Sequence, residues 1–320
     1  MKVNIYNVSE ERKNDDGILL LRYPYSVREK LGYSTITKGQ IHALEPSMVE
    51  IEILDANEQA TIELMALDND SYVYGYIGDF QATRFLIHKG TKEKITLKMH
   101  DRMINLEADI KNFKRRFRFI VGNGSRVVYY PTCDYSLIND DGYVLYGSSI
   151  SMGAGAFDIV NSYAFLTAKF NNIRIFNKAL SGSCLLEPEA IDYLASLNPK
   201  GYILEIGANV RGVMDDIEFR KRVKYMLNTL KQKQVDIYLI SILDMFENLY
   251  KGFKDIPYHE KNVSFIKILK EEATNLNYSK LHLISSKNLI TTIDGISYDM
   301  LHPANYGHLQ MALNLKIGEK

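Results

Sequence analysis

Cysteine is scarce in this sequence of 320 residues, which contains only Cys133 and Cys184. Neither belongs to a CxxC pair, so the sequence predicts neither a disulfide framework nor a thiol-based metal site. Pairs of histidines with the spacing of metal ligands are also absent. We therefore expect two inert thiols in a reducing compartment, and a protein that needs no metal or other cofactor.

An excess of charge of either sign is also absent, since 39 Lys and Arg residues balance 39 Asp and Glu residues. This balance gives no indication of a nucleic-acid partner. No apolar run approaches the roughly 18 residues of a membrane span, and the N-terminus lacks the apolar segment of a signal peptide. We therefore expect a cytoplasmic protein that binds neither nucleic acid nor a membrane. The sequence does not indicate its oligomeric state, and a homo-oligomer is possible.

The first part of the chain contains a series of short runs with β-type alternation. In Val49–Ile53 and Thr61–Met65 the apolar residues fall on one face, and turn-forming residues separate the runs. No helical pattern intervenes. This predicts an all-β, jelly-roll-like sandwich domain over residues 1–135. The predicted strands are Gly17–Tyr23, Met48–Leu54, Ala60–Leu67, Ser71–Ile77, Arg84–His88, Lys94–Met99, Arg116–Val121 and Arg126–Tyr130.

The pattern changes after the linker Pro131–Asp141. Strand-like apolar runs now alternate with helical ones, which predicts a parallel sheet covered by helices on both faces. Five strands indicate a flavodoxin-like, three-layer α/β/α domain over residues 136–320, with its active site at the carboxyl ends of the strands. The predicted strands are Tyr143–Tyr146, Ile173–Phe176, Tyr202–Ile206, Val235–Ile242 and Leu281–Ile284. The predicted helices are Val160–Phe170, Glu187–Leu197, Asp215–Gln232, Glu260–Asn277 and Ala304–Leu315.

The most informative stretch is the small-residue turn Gly147–Ser149, which follows the first of these strands. A serine on a strand-to-helix turn is lifted out of the sheet, next to free backbone N–H groups that stabilise negative charge. Such a turn suits a nucleophile and a phosphate alike. Asp299 and His302 favour the nucleophile, because they add the carboxylate and the imidazole that nucleophilic catalysis needs.

Residues suited to acyl transfer follow several strands of the predicted sheet. In this hypothesis Ser149 attacks a carbonyl, His302 moves its proton, and Asp299 orients the imidazole. The negative oxygen that forms would be met by three donors. These are the backbone N–H groups of Ser149 and Gly182 and the side-chain amide of Asn209.

At these residues the chain resembles the SGNH hydrolases, the superfamily of GDSL-type esterases and lipases. The resemblance covers about Tyr143 to Leu315 and rests on four blocks in the family's order. They are Gly147-Ser148-Ser149-Ile150-Ser151-Met152-Gly153, Ser181-Gly182, Gly207-Ala208-Asn209 and Asp299-Met300-Leu301-His302-Pro303. Together the blocks imply the SGNH fold and its serine chemistry for this part of the chain.

The resemblance also implies a role for individual residues. Ser149, rather than Ser148, is the implied nucleophile. His302 is the implied base, and Asp299 orients it. The backbone N–H of Ser149 joins Gly182 and Asn209 as an oxyanion donor, and no cofactor or metal is implied.

Two positions depart from the family's usual pattern. Ser148 stands where the first block usually has an acid, and Val210 stands where an acid usually follows the amide of the third block. With its sandwich-like first part, the chain looks like the SGNH subgroup that carries an N-terminal β-sandwich. That subgroup includes carbohydrate-ester deacetylases and some acyltransferases of natural-product pathways.

The resemblance therefore implies a serine esterase that acts through a covalent acyl-enzyme. The expected substrate is a small molecule or carbohydrate that loses a short acyl group such as acetyl. An acyltransferase of a biosynthetic pathway stays open, since water or another hydroxyl can resolve the same acyl-enzyme. A non-catalytic carbohydrate-binding protein with a vestigial hydrolase fold also stays open, because Tyr72, Tyr74 and Tyr76 share a strand face in the sandwich. The loop from Asp244 to His259 is expected to border the site.

Overall fold

The computed structural model of the protein describes residues 2–54, 56–111, 113–243 and 259–318. The chain forms two compact units. The first comprises Met1–Pro24 and Ala43–Asn139, and the second comprises Tyr25–His42 and Asp140–Lys320. The segment 25–42, which chain order alone assigned to the N-terminal domain, thus belongs to the second unit. The domain boundary between residues 135 and 136 stays a prediction.

The described residues form the following strands and helices. The strands are β1 (Lys2–Tyr6), β2 (Glu10–Asn14), β3 (Gly17–Leu21), β4 (Val49–Leu54), β5 (Gln59–Ala66), β6 (Ser71–Ile77), β7 (Phe80–Ile87), β8 (Glu93–Lys98), β9 (Arg116–Val121), β10 (Val127–Tyr130), β11 (Tyr135–Ile138), β12 (Tyr143–Gly147), β13 (Ile175–Asn177), β14 (Gly201–Glu205), β15 (Asp236–Ile240) and β16 (Leu281–Ile284). The helices are α1 (Tyr25–Arg28), α2 (Gly39–His42), α3 (Asp101–Leu106), α4 (Tyr163–Phe170), α5 (Pro188–Ser196), α6 (Asp216–Leu230), α7 (His259–Leu276) and α8 (Asn305–Asn314).

The described residues of the first unit form two β-sheets and the short helix α3. One sheet has the strand order β11-β1-β4-β9-β6-β7 and the other the order β2-β3-β10-β5-β8. Apolar side chains from both sheets, such as Ile51 and Phe119 of one and Leu64 of the other, form a single buried cluster. The alternation seen in the sequence produces this core, since every second residue of β5 is buried. The predicted sandwich is confirmed.

A five-stranded, all-parallel sheet lies at the centre of the second unit. Its strand order is β13-β12-β14-β15-β16. Helix α4 packs against α8, and α6 packs against both α5 and α7, which gives the expected helical layers. This 2-1-3-4-5 order reverses direction between β12 and β14, and ligands of such sheets bind outside the carboxyl ends of the strands at that point. The predicted flavodoxin-like class is confirmed, and it fixes where the site must lie.

The helix after the first parallel strand begins later than the sequence pattern predicts. A short 3-10 turn spans Ile159–Asn161, and α4 begins only at Tyr163. Ser162 sets this start, because its hydroxyl accepts the backbone N–H of Phe165 as an N-cap. A stretch of turns therefore separates the Gly147–Ser149 turn from α4. Among the described residues, no helix is both long and apolar enough to cross a bilayer.

Candidate active site

The predicted nucleophile turn begins where β12 ends. Gly147 is the last residue of that strand, and a side chain there would lie 2.2 Å from Ser151 Oγ. The turn is closed by a 2.9 Å hydrogen bond from the backbone N–H of Ala154 to the carbonyl of Ser149. Ser148 is buried, whereas Ser149 keeps some exposure. The turn thus presents the second serine, not the first, at the edge of the sheet.

Ser149, His302 and Asp299 form one hydrogen-bonded chain. His302 Nε2 lies 2.8 Å from Ser149 Oγ, and His302 Nδ1 lies 2.6 Å from Asp299 Oδ2. Because a carboxylate faces Nδ1, that nitrogen carries the proton, and Nε2 is left to accept the serine O–H. The structure therefore brings the three residues together in the arrangement that activates a serine.

The loop that carries His302 is held by the backbone on both sides. The N–H of Ser297 donates to the carbonyl of His302, and the N–H of Ala304 donates to the carbonyl of Gly295. Gly155, next to the nucleophile turn, approaches Pro303 so closely that a Cβ there would lie 1.9 Å from the proline carbonyl oxygen. This close approach fixes the histidine loop against the nucleophile turn.

Asp299 is held as a carboxylate by four donors. Its Oδ1 accepts the Ser297 hydroxyl at 2.5 Å and the backbone N–H groups of Leu301 and His302, in addition to the bond from its Oδ2 to the imidazole. Burial raises the pKa of Asp299, but the hydrogen bonds from His302 and Ser297 outweigh it and hold that pKa well below its usual range. The group therefore stays ionised opposite the imidazole.

The three predicted oxyanion donors lie on the turns that follow β12, β13 and β14. Asn209 uses its Oδ1 to accept the backbone N–H of Cys184 at 3.0 Å, which leaves Nδ2 as its remaining donor group. Gly182 adopts φ +63, a left-handed conformation that glycine reaches without strain. Within the described ranges, no acceptor pairs with Asn209 Nδ2 or with the backbone N–H of Gly182 or Ser149.

A buried carboxylate that the sequence motifs did not reveal lies beside the nucleophile turn. Glu205, the last residue of β14, is 1% exposed. Its Oε2 accepts the backbone N–H of Ser148 at 2.8 Å, the Ser148 hydroxyl at 2.7 Å and the Ser151 hydroxyl at 3.0 Å. Burial raises the pKa of Glu205 above its usual value, and these hydrogen bonds offset that rise only in part. One signal was available, because Glu205 is the single charged residue in the apolar run Tyr202–Ile206.

His308, the other histidine of the final block, is structural. Its Nδ1 accepts the backbone N–H of Tyr163 at 3.1 Å, and its Nε2 donates to the carbonyl of Ala154 at 3.0 Å. Burial lowers the pKa of His308 to about 4, so its ring is neutral. The imidazole thereby ties α8 to α4. The predicted border loop Asp244–His259 lies, except for His259 itself, outside the described residues.

The second unit combines this strand order with a hydrogen-bonded serine, histidine and aspartate at the carboxyl ends of the strands. These features together define a class of serine-dependent ester hydrolases and acyltransferases. Residues 141–317, more than half of the chain, match the GDSL-like Lipase/Acylhydrolase family. The chain belongs to this family.

Solved structures of low sequence identity share the fold over nearly the whole chain. A salicylyl-acyltransferase from a tetracycline biosynthetic pathway is 10% identical with a TM-score of 0.73, over 98% of this chain and 93% of that one. A GDSL-like lipase from Bacteroides ovatus is 16% identical with a TM-score of 0.65, over 96% and 91%. A family two carbohydrate esterase from Cellvibrio japonicus is 15% identical with a TM-score of 0.61, over 97% and 92%. No functionally curated protein matches the sequence.

Proposed function

We propose that this protein is a serine esterase that removes a short acyl group, with acetyl as the first candidate, from a carbohydrate or related small molecule. The observation that carries the proposal is the hydrogen-bonded chain from Ser149 Oγ through His302 to Asp299. The fold shared with a carbohydrate esterase supports the choice of substrate class. The family supports the reaction type.

The reaction begins when Ser149 Oγ attacks the ester carbonyl carbon. His302 Nε2 accepts the hydroxyl proton, and the carbonyl π electrons move to the oxygen, which becomes negative. Asp299 stabilises the imidazolium that results. The N–H groups of Ser149 and Gly182 and the Asn209 amide would then donate to the oxyanion, and losing one such donor typically costs about 100- to 1,000-fold in rate.

Collapse of the tetrahedral intermediate breaks the bond to the alcohol. His302 returns its proton to the leaving oxygen, and the acyl group remains on Ser149 as an ester. Water then repeats the sequence, with His302 taking a proton from the water as it attacks. The products are a free carboxylic acid, an alcohol and the regenerated serine, so all atoms are accounted for.

The test is turnover of an activated acetyl ester, 4-nitrophenyl acetate, together with covalent labelling by a fluorophosphonate probe. We expect both in the parent protein and neither in Ser149→Ala. Ser196→Ala is a matched control, because Ser196 is an exposed serine whose hydroxyl donates to the carbonyl of Tyr193. Equal turnover by Ser149→Ala and parent would refute the proposal. Sugar binding without labelling would favour the non-catalytic alternative.

Transfer of the acyl group to a second hydroxyl is the other candidate function. It is favoured by the high TM-score of the salicylyl-acyltransferase structure over both parts of the chain. Mass spectrometry of the intact protein, incubated with a panel of acyl esters, would show the mass of the acyl group on Ser149. Release that requires a sugar or small-molecule acceptor would establish transfer, and release in buffer alone would establish hydrolysis.

A further inference from the structure

The nucleophile turn rests on a carboxylate from the neighbouring strand. Glu205 ends β14 and lies directly opposite Gly147, the last residue of β12, in the parallel pairing of the two strands. Its side chain occupies the space above that glycine, since a Cβ on Gly147 would lie 2.9 Å from Glu205 Oε2. The glycine that ends β12 thus leaves room for the carboxylate to reach Ser148 and Ser151.

The hydrogen bonds of this carboxylate hold the turn on both sides of the nucleophile. Oε2 accepts the N–H and the hydroxyl of Ser148, which precedes Ser149, and the hydroxyl of Ser151, which follows it. Since the Ser151 O–H is directed to Glu205, the phenol of Tyr163 donates to Ser151 Oγ, at 2.6 Å. The turn therefore has fixed contacts one residue before and two residues after Ser149.

Glu205 also connects the nucleophile turn to the turns that carry the other predicted oxyanion donors. Its backbone carbonyl accepts the thiol of Cys184 at 3.9 Å, two residues beyond Gly182. The backbone of Cys184 in turn donates to Asn209 Oδ1. Glu205 thus contacts the turns that follow β12 and β13, and the turn that carries Asn209 begins directly after Glu205.

We propose that Glu205 is a positioning residue, which orients Ser149 towards His302 through its bonds to Ser148 and Ser151. The family pattern that the chain resembles has an acid at the position of Ser148, and in this chain Glu205 supplies a carboxylate from β14 instead. Ser148 Oγ donates to Glu205 Oε2 at 2.7 Å, so the carboxylate lies within hydrogen-bond distance of the side chain at position 148. This role rests on the proposed function, since it presupposes that Ser149 is the nucleophile.

The first test is the rate of fluorophosphonate labelling in Glu205→Gln. The amide keeps the shape of the side chain but replaces one carboxyl oxygen by an NH2 group, which donates hydrogen bonds and accepts none. We expect labelling and kcat to fall by about 10- to 100-fold with little change in KM, because small displacements of a nucleophile have effects of this size. If Glu205 had a purely structural role, Glu205→Gln would lower the melting temperature but would not lower kcat selectively over KM.

Glu187→Gln is the matched control. Glu187 is also a buried carboxyl of the second unit, but it accepts the backbone N–H of Gly32 and the hydroxyl of Tyr146 and makes no hydrogen bond to residues 148–151. We expect this variant to keep the parental labelling rate within about twofold. An equal loss of rate in both variants would refute the positioning role.

The second test moves the carboxylate back to the turn. We expect the double variant Ser148→Asp/Glu205→Gln to be labelled at least about tenfold faster than Glu205→Gln, because one acid again lies between the turn and β14. A double variant no faster than Glu205→Gln would refute the relocation. If Glu205→Gln fails to fold, Ser148→Ala serves as the test instead, because it removes the hydrogen bond from the Ser148 hydroxyl to Glu205. We then expect the labelling rate to fall by about 3- to 10-fold.

The two proposals fail in different ways. A parent protein that resists labelling, as Ser149→Ala does, overturns the proposed function and the positioning role together. A labelled parent with an equally labelled, folded Glu205→Gln overturns the positioning role alone.

Discussion

At the scale of single residues, Asp299 sets the orientation and the tautomer of His302. It accepts four hydrogen bonds, of which one orients His302 and three fix Asp299 within its own loop. Because these bonds depress its folded-state pKa, they stabilise the fold above the unfolded pKa of about 3.9, and this contribution is lost as the pH falls towards the folded pKa. At neutral pH the residue is therefore a fixed negative charge.

We predict that Asp299→Asn lowers kcat by about 1,000- to 10,000-fold, because an amide leaves the imidazole in the wrong tautomer. The rate is measured with an activated acetyl ester at neutral pH. Asp294→Asn is the control, since Asp294 precedes the histidine loop in an exposed position without a hydrogen bond to His302. A variant that keeps more than a tenth of the parental kcat would contradict the role of Asp299.

Single residues of the site differ in how far the sequence predicts them. The order of the four blocks predicts Ser149, His302 and Asp299, and the structure brings their side chains into hydrogen-bonding contact. Glu205 was not predictable in the same way. Its role comes from the pairing of β12 with β14, and a single sequence does not state which residues face each other across a parallel sheet.

At the scale of elements, the loop between the final strand and α8 depends on one close backbone approach. Gly155 has φ +91, and any side chain there would collide with the carbonyl of Pro303. The sequence does not show which part of the backbone Gly155 meets. Contacts between distant loops follow from the packed fold, so local periodicity predicts strands and helices better than it predicts these contacts.

We predict that Gly155→Ala reduces kcat at least about tenfold, since the collision displaces the loop that carries His302. The rate is compared with that of Gly124→Ala, because Gly124 has φ +95 but open space around its Cα. Both variants incur the strain of a left-handed conformation, roughly 1–2 kcal/mol. Equal activity in the two variants would show that strain, not the collision, is the cause of any loss.

The segment 25–42 gives the second unit a pH-sensitive contact. Glu187 accepts the backbone N–H of Gly32 at 2.9 Å, and the ring of Tyr33 lies 4.5 Å from the guanidinium of Arg222. Burial raises the pKa of Glu187 to about 7, although hydrogen bonds and the charge of Arg222 lower it. A raised carboxyl pKa means that the folded state binds the proton more tightly than the unfolded state does.

We predict that the stability of the parent declines relative to Glu187→Gln as the pH rises from about 4.5 to about 7. Stability from this group is complete below the unfolded pKa and is lost as the pH passes the folded one, a change of roughly 3 kcal/mol. Denaturant unfolding of the two proteins across this range measures it. Parallel stability curves would show that Glu187 titrates normally.

At the scale of the whole molecule, the two compact units are not two consecutive stretches of chain. The sequence indicates a change of pattern near Pro131–Asp141, a stretch predicted to be a linker. This stretch contains β11, which pairs with β1 in the sandwich, and the parallel sheet begins after it. Nothing in the sequence indicates that 25–42 belongs with the later part. Two short helices with one buried residue, Gly39, between them carry too weak a periodicity to reveal their partners.

We predict that a protein truncated to residues 136–320 is less stable than the same protein with the segment 25–42 added back. The truncation removes the Gly32 N–H from Glu187 and the Tyr33 ring from Arg222, and a buried group without its partner costs roughly 1–3 kcal/mol. Melting temperatures of residues 136–320 with and without 25–42 rejoined through a flexible linker measure the difference. Identical values would show that the segment adds nothing to this unit.

The discontinuous second unit also has a consequence for protein synthesis. Gly32 meets Glu187 across 155 positions of sequence. At about 5–20 residues per second, a ribosome needs roughly 8 to 30 s to reach Glu187 after it has added Gly32. During that interval the first unit can fold, whereas the 18 residues of segment 25–42 still lack the residues of the second unit that they contact. The order of translation therefore delays the contact between Gly32 and Glu187 until well after the early part of the chain has been made.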